Sequence, residues 1–398
     1  MTREKLLSMC GFAVAAAFTT GAVHADWAEK LQQMWSGAAT KAEELYGQAQ
    51  TTYKDNWARL PGQITVCTAT ELKDWVTGEV IPNFKEAAPL IGTKIEAHGS
   101  GELADAMNGD NAMKCDVVIF GSDVAALRWK GYEAAKHTPV AYSATVWVGD
   151  KEKLDAARAF LNKPVDARLT CPDLAKVAEQ GRYSRIKEGG KGKLDVEMTT
   201  SNSGQSMYVS CVYSIVDALD PQEVEQKLNA NPALEDQVRE FFKAVKFDVD
   251  STTTLTTKAE GEFMHPNGIG YKHLAIATYE SFLPLLTEEF SKQGKQLEVI
   301  YPAISILNNF PAVRVTTEGK NGEATKAFLQ FLLSEETQAQ LPARGFRPAN
   351  PKVDYSRDAA AKFFNNKIEV GDAPRTQQGL RDLWGIVSGE GKAQAVKF

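Results

Sequence analysis

Three strand–turn–helix units in succession, between Ile64 and Ser122, constrain this chain more than any other feature. Ile64-Thr65-Val66-Cys67 reads as a strand, followed by Thr68-Ala69-Thr70 and a helix carrying Leu72, Trp75, Val76 and Phe84. Lys94 to Ala97 is a second strand, ending in His98-Gly99-Ser100-Gly101 before a helix over Glu102 to Met107. Asp116 to Phe120 is a third, ending in Gly121-Ser122-Asp123 before another helix. Parallel strands need crossover helices, so consecutive units of this kind demand a parallel sheet covered on both faces. Ligands of such sheets bind outside the carboxyl ends of the strands. All three ends carry small hydroxyl residues here: Thr68 and Thr70, Ser100, and Ser122.

The pattern then restarts. Thr145 to Val148 is a strand leading towards a second lobe, where Ala167 to Thr170 reads as a strand turning at Cys171-Pro172-Asp173. Lys193 to Glu197 alternates like a strand, and Met198 to Ser206 is a turn rich in hydroxyls and amides, with Ser201, Asn202, Ser203 and Gln205. An apolar helix over Met207 to Leu219 follows. Such a turn aims backbone N–H groups and a positive dipole end at a polar ligand, although Ser201 or Ser203 is equally read as an ordinary helix cap. His273 to Thr278 is a strand ending in Tyr279-Glu280-Ser281 at the head of a helix over Phe282 to Phe290. Leu297 to Ile306 is a further strand, and Asn308-Asn309-Phe310-Pro311 precedes Ala312 to Val315, a second passage between lobes. Pro221 to Val245 is an amphipathic helical stretch, and Glu323 to Leu333 another. The basic loop Arg182 to Lys193 lacks phosphate-loop spacing and is read as solvated, and Asp250 to Thr254 as a helix cap.

Residues 1–25 have the basic start, apolar run and Val23-His24-Ala25 cleavage site of a secretory signal peptide. No later stretch is long and apolar enough to span a bilayer. About 370 residues remain, enough for two domains of ordinary size. Asp26 to Trp57 precedes the main body with Trp27, Leu31, Met34, Trp35, Leu45 and Tyr53 on one helical stripe, packing on its own domain or docking a partner. The net charge of −6, about −7 once Arg3, Glu4 and Lys5 leave, argues against nucleic acid. Export places Cys67, Cys115, Cys171 and Cys211 where disulfides persist, with three pairings open. No paired short Cys or His spacing points to zinc, so no metal or cofactor is expected. His98, His137, His265 and His273 are scattered, no paired carboxylates or Ser-His-Asp arrangement emerges, and no enzyme is expected. Trp75, Trp129 and Trp147 lie at apolar periodic positions of the core.

Several stretches resemble type II periplasmic solute-binding proteins of the molybdate-binding-like branch. They are Ser100 to Ala104, Asp116 to Asp123, Thr200 to Gly204, Tyr279 to Ser281, Phe310 to Val313, Ala327 to Ser334 and Gly345 to Ala349. The chain is most similar to the extracellular solute-binding family often linked to von Willebrand factor A domains, over roughly residues 62–350. The resemblance implies an α/β, two-lobed Venus-flytrap fold, here with an extra N-terminal helix. The expected division is signal peptide 1–25, helical extension 26–60, lobe 1 at 61–143 and 308–398, and lobe 2 at 144–307. The implied function is capture of a small polar or charged ligand in the periplasm for the membrane permease of an ABC-type importer. Thr68, Thr70, Ser100 and Ser122 would form one wall; Ser201, Asn202, Ser203, Gln205, Tyr279 and Glu280 the other. Hydroxyls and helix ends suit an anion, whereas an inward Glu280 would favour an amine or metal-bearing ligand; Glu280 facing solvent at a helix start is the alternative. The competing reading is a non-transport adaptor of an envelope complex that uses the 26–57 helix to hold its partner.

Overall fold

The computed structural model describes residues 57–108, 112–133, 137–179, 193–195, 202–244, 273–365 and 368–374. The expected signal peptide, the 26–57 helix apart from Trp57, the basic loop apart from Lys193, Met198 to Ser201 and Asp250 to Thr254 lie outside the described residues. The three leading units form as expected. Strand β1 (Gly62–Ala69) pairs in parallel with β2 (Ile91–His98) and with β3 (Val117–Ile119). Between β1 and β2 run the helical turns Thr70–Leu72, Lys73–Trp75 and Val76–Val80, and then α1 (Ile81–Ala87), with Pro82 in its first turn, where a missing N–H costs nothing. Helix α2 (Ser100–Ala106) joins β2 towards β3, and α3 (Asp123–Ala126) follows β3.

Two long antiparallel strands then organise the molecule. Strand β4 (Thr138–Asp150) pairs through Ala144 with β8 (Ile304–Arg314), and from Thr145 onward with β6 (His273–Tyr279). It also pairs with β7 (Leu297–Ile300) at its far end. The distal end of β8 lies against β3, completing the first sheet. Parallel to β6 runs β5 (Lys193–Asp195). The sheet order is therefore β2-β1-β3-β8-β4-β6-β5, with β4 and β8 shared between two halves. Pro139 and Pro311 face each other at the start of this crossing, and the register shifts between Pro139 and Tyr142. Neither proline has an N–H to give the ladder, and the regular register is lost just beyond Pro139.

Some local expectations give way. Ala167 to Thr170 is not a strand: the Thr170 amide bonds the Asp173 carboxylate (2.8 Å) and the Asp173 amide returns to Thr170 Oγ1 (3.3 Å). This reciprocal cap starts α5 (Cys171–Glu179) after α4 (Lys151–Phe160). Leu297 to Ile306 is two strands, interrupted at Tyr301-Pro302-Ala303, and the second continues unbroken through Pro311. The stretch from Pro221 is two helices, α7 (Pro221–Ala230) and α8 (Pro232–Ala244), after α6 (Asn202–Val216). Asn231 is forced into extended backbone because it precedes Pro232. The chain continues with α9 (Leu283–Lys292), α10 (Gly319–Leu332), α11 (Glu335–Gln338), β9 (Arg347–Pro348) on β4, and β10 (Glu369–Gly371) parallel to Ile304–Ile306.

Each half buries its own core. In the first, Phe84 meets Phe328 at 5.2 Å and Phe331 at 5.3 Å between ring centroids, with Trp57 packed edge-on against Phe84 and Phe331. Each such ring pair adds about 0.5–1.5 kcal/mol beyond burial. In the second, Trp147, Leu154, Leu174, Met207 and Val212 form one cluster over β4 and α6. Trp75 and Trp147 are fully enclosed and Trp129 packs on Phe120, all three in core positions. The cysteines pair as Cys67–Cys115 and Cys171–Cys211. The first bond ties β1 to the chain entering β3, and the second ties the start of α5 to the middle of α6.

Candidate functional site

The site grows from the turn after β3. Asp116 anchors that strand: its carboxylate accepts from the Thr65 amide (2.7 Å) and the Thr316 hydroxyl (2.6 Å), linking β1 and the end of β8. The strand delivers Phe120, Gly121 and Ser122 at its carboxyl end. Ser122 caps α3, its Oγ accepting from the Ala125 amide at 3.1 Å. Ser100, at the head of α2, accepts the Gly121 amide on its Oγ at 2.9 Å. Asn202, at the head of α6 in the other half, accepts a short hydrogen bond from the Ser122 hydroxyl on its Oδ1. Residues from both halves therefore meet at one spot.

Gly121 shows how close this meeting is. A Cβ placed there would lie 2.5 Å from Ser100 Oγ, 2.8 Å from Asn202 Nδ2 and 3.3 Å from Glu71 Oε1. Glu71, absent from the expected site, follows the end of β1 within the Thr70–Leu72 turn. Burial raises its pKa, against hydrogen bonds from its own backbone and from Thr70. Its side chain accepts from Thr70 Oγ1 at 3.3 Å, and it forms no ion pair among the described residues. Behind the spot, the Tyr132 hydroxyl donates to Asp123 and lies 2.9 Å from His137 Nδ1, while His137 Nε2 lies 3.2 Å from Asn309 Nδ2. That network couples the residue after Ser122 to both long strands.

The other expected wall residues fall in different places. Thr70 joins the spot through Glu71, whereas the buried Thr68 turns its hydroxyl to the Ala69 carbonyl at 3.3 Å. Ser203 and Gln205 are buried in the first turn of α6, beside Asn202. Tyr279 is fully buried and packs edge-on against Phe310 at 6.1 Å.

Glu280 faces neither cleft nor solvent, which corrects both sequence expectations for it. Fully buried, it accepts from Arg347 Nε (2.9 Å) and Nη2 (2.7 Å), Tyr301 Oη (2.8 Å), and the Ala144 (3.2 Å) and Asn365 (3.2 Å) amides. Arg347 in turn lies 5.0 Å from the Phe364 ring centre. Burial first, then the Glu280 charge, holds Tyr301 in its protonated, donating form. Gly345, at φ +78°, makes the approach possible, since a Cβ there would lie 2.4 Å from the Ser281 carbonyl oxygen. Arg347 was readable only as part of Gly345 to Ala349, with no sequence signal for its distant partner.

A polar layer also lies behind the site. Asn308 Nδ2 donates to Thr145 Oγ1 (2.7 Å) and the Ser143 carbonyl (3.2 Å), and its Oδ1 accepts from Ser206 Oγ (2.5 Å). Ser210 and Ser214 accept the Ile306 and Ile304 amides, each at 2.9 Å. Ser206, Ser210 and Ser214 recur at steps of four, so the stripe was legible as one polar face on an apolar helix.

No group of three or more His, Cys, Asp or Glu side chains is placed to hold a metal ion among the described residues. No helix among them is long and apolar enough to cross a membrane. Two α/β halves that share two long strands, with polar strand and helix ends meeting between them, define a two-lobed solute-binding fold. The chain belongs to the bacterial extracellular solute-binding protein family, whose profile matches residues 64–347. Solved structures share the fold at low identity. The GacH receptor of Streptomyces glaucescens is 15% identical, with 84% of this chain and 95% of that one covered at a TM-score of 0.56. The sulfate-binding protein SubI from Mycobacterium tuberculosis is 19% identical, with 83% and 99% covered and a TM-score of 0.53. MalE3 of T. maritima is 14% identical, with 82% and 94% covered and a TM-score of 0.53. No curated protein matches the chain in sequence.

Proposed function

We infer that this protein captures a small polar solute between its lobes in the periplasm and delivers it to the permease of an ABC-type importer, without chemical conversion. The observation that carries the reading is the meeting of Ser100, Gly121 and Ser122 with Asn202 across the two halves. Export by the 1–25 leader is supported by two disulfides, which persist in oxidising compartments. The lobe division at 143/144 and 307/308 is supported by the change of partner along β4, from Leu307 at Ala144 to Tyr279 at Thr145. The expected assignment of all of 308–398 to lobe 1 lacks support at 369–372, where β10 pairs with Ile304–Ile306 and the Asp372 amide bonds the Leu219 carbonyl. Ser100, Ser122 and Asn202 are assigned to the ligand, with Thr70, Ser203 and Gln205 around them. Proteins of this fold were solved with acarbose and with maltose, and another is named for sulfate, so the fold alone leaves the solute open.

The test combines thermal unfolding with small-angle scattering on the mature chain against maltose, sulfate, molybdate, hydrogen phosphate and L-serine. A probe at a hundredfold excess over its dissociation constant is expected to stabilise the fold by about 2.7 kcal/mol. The same probe should reduce the radius of gyration, and Asn202→Ala should weaken both effects. Absence of any shift and any compaction would sink the reading.

A further inference from the structure

We propose that Glu71 accepts a hydrogen bond from the bound solute, so that the solute must present an N–H or O–H donor beside its acceptor atoms. This rests on the reading of the spot at Gly121 as the ligand site. The three polar groups around Gly121 have unequal needs. Ser100 Oγ accepts from the Gly121 amide, which leaves its hydroxyl proton for another acceptor. Asn202 is 5% exposed; its Oδ1 is taken by Ser122, and its Nδ2 is buried with no acceptor among the described residues. A buried donor without an acceptor is costly, and this one lies close against Gly121. These two groups ask for acceptor atoms on the solute.

Glu71 asks for the opposite. Its Oε1 lies beside the same glycine, its other oxygen accepts from Thr70, and no cation neutralises it among the described residues. A carboxylate so placed repels a fully deprotonated oxyanion and accepts from a hydroxyl, an ammonium or a protonated oxyanion. Hydroxyls of a sugar, the ammonium of an amino acid and the P–OH of hydrogen phosphate share this chemistry. Sulfate and molybdate lack it at neutral pH.

Titration calorimetry at pH 7 on the wild type, Glu71→Ala and Glu71→Gln separates the cases, with circular dichroism confirming that each variant folds. The probes are maltose, L-serine and hydrogen phosphate against sulfate and molybdate. At least one donor-bearing probe is expected to bind, with sulfate and molybdate silent, and Glu71→Ala should weaken it about tenfold or more. Glu71→Gln keeps an acceptor oxygen without the charge, so it should spare maltose and weaken L-serine. Binding of sulfate or molybdate to the wild type overturns the proposal while leaving a binding protein. So does a donor-bearing probe whose affinity survives in Glu71→Ala. Silence of all five probes at about 10 mM overturns the site reading and the proposal together.

Discussion

Two carboxylates, Glu71 and Glu280, lie at strand ends of this molecule and behave oppositely. Glu280 is surrounded by donors and paired with a buried Arg347, so removing it strands a guanidinium out of water. Breaking such a pair costs about 3–5 kcal/mol, and Glu280→Ala should lower the unfolding midpoint in urea accordingly. A loss below about 1 kcal/mol would show the pair to be inessential. Glu71 is raised from the ordinary value of 4.5 chiefly by burial. The folded state then holds that proton to higher pH than the unfolded chain does. Its contribution to stability is therefore full below 4.5, falls as pH rises through the folded pKa, and stays lost above it. Ligand-free Glu71→Gln should gain on the wild type in thermal melts as pH rises above 4.5. A difference that does not change with pH would contradict the shift.

At the scale of elements, α6 does what a neighbouring strand would do for the first residues of β8. Ser210 and Ser214 receive the Ile306 and Ile304 amides, and Ser206 holds Asn308, so the helix face replaces ladder bonds with hydroxyls. The arrangement also fixes the end of α6 that carries Asn202 against the strand pair that joins the lobes. Ser210→Ala would leave the Ile306 amide buried without an acceptor, a loss of about 1–3 kcal/mol in equilibrium unfolding. Hydrogen exchange at Ile306 should quicken in the same variant, and unchanged protection there would refute the contact. The strand, turn and helix sequence of the first lobe was legible because period-two apolar runs and small turn residues are local properties. The division of Leu297 to Arg314 was not, since Pro302 ends one strand whereas Pro311 is tolerated inside another. That difference is set by which neighbour needs the missing N–H.

For the whole molecule, two disulfides close chain separations of 48 and 40 residues, one in each half. Loops of that size correspond to about 4 kcal/mol of unfolded-state restriction each. The Cys67–Cys115 bond lies one residue before Thr68 and one before Asp116, so it braces the strands that carry the Glu71 and Gly121 turns. Reduction is expected to lower the melting temperature, with replacement of either pair by alanine giving a partial loss. An unchanged melting temperature in reductant would mean that the cores alone hold the halves. The switch of partners along β4 marks where the two halves join. Among the described residues, β4 passes from the first sheet into the second, and β8 from the first sheet to its pairing with β10.

The α/β class, the expectation of two lobes, and the polar turns that carry Ser100, Ser122 and Asn202 could be read from sequence. Each depends on alternation, spacing and turn chemistry within a few residues. What converges on that site depends on distance through space. Glu71 and Glu280 are both acidic residues just past strand ends, and nothing local distinguishes them. Tertiary structure alone places Arg347, 67 residues away, on Glu280 and leaves Glu71 beside Gly121 without a counter-charge among the described residues. A carboxylate's role is set by what the fold brings within a few ångströms of it, and that is not a local property of the chain.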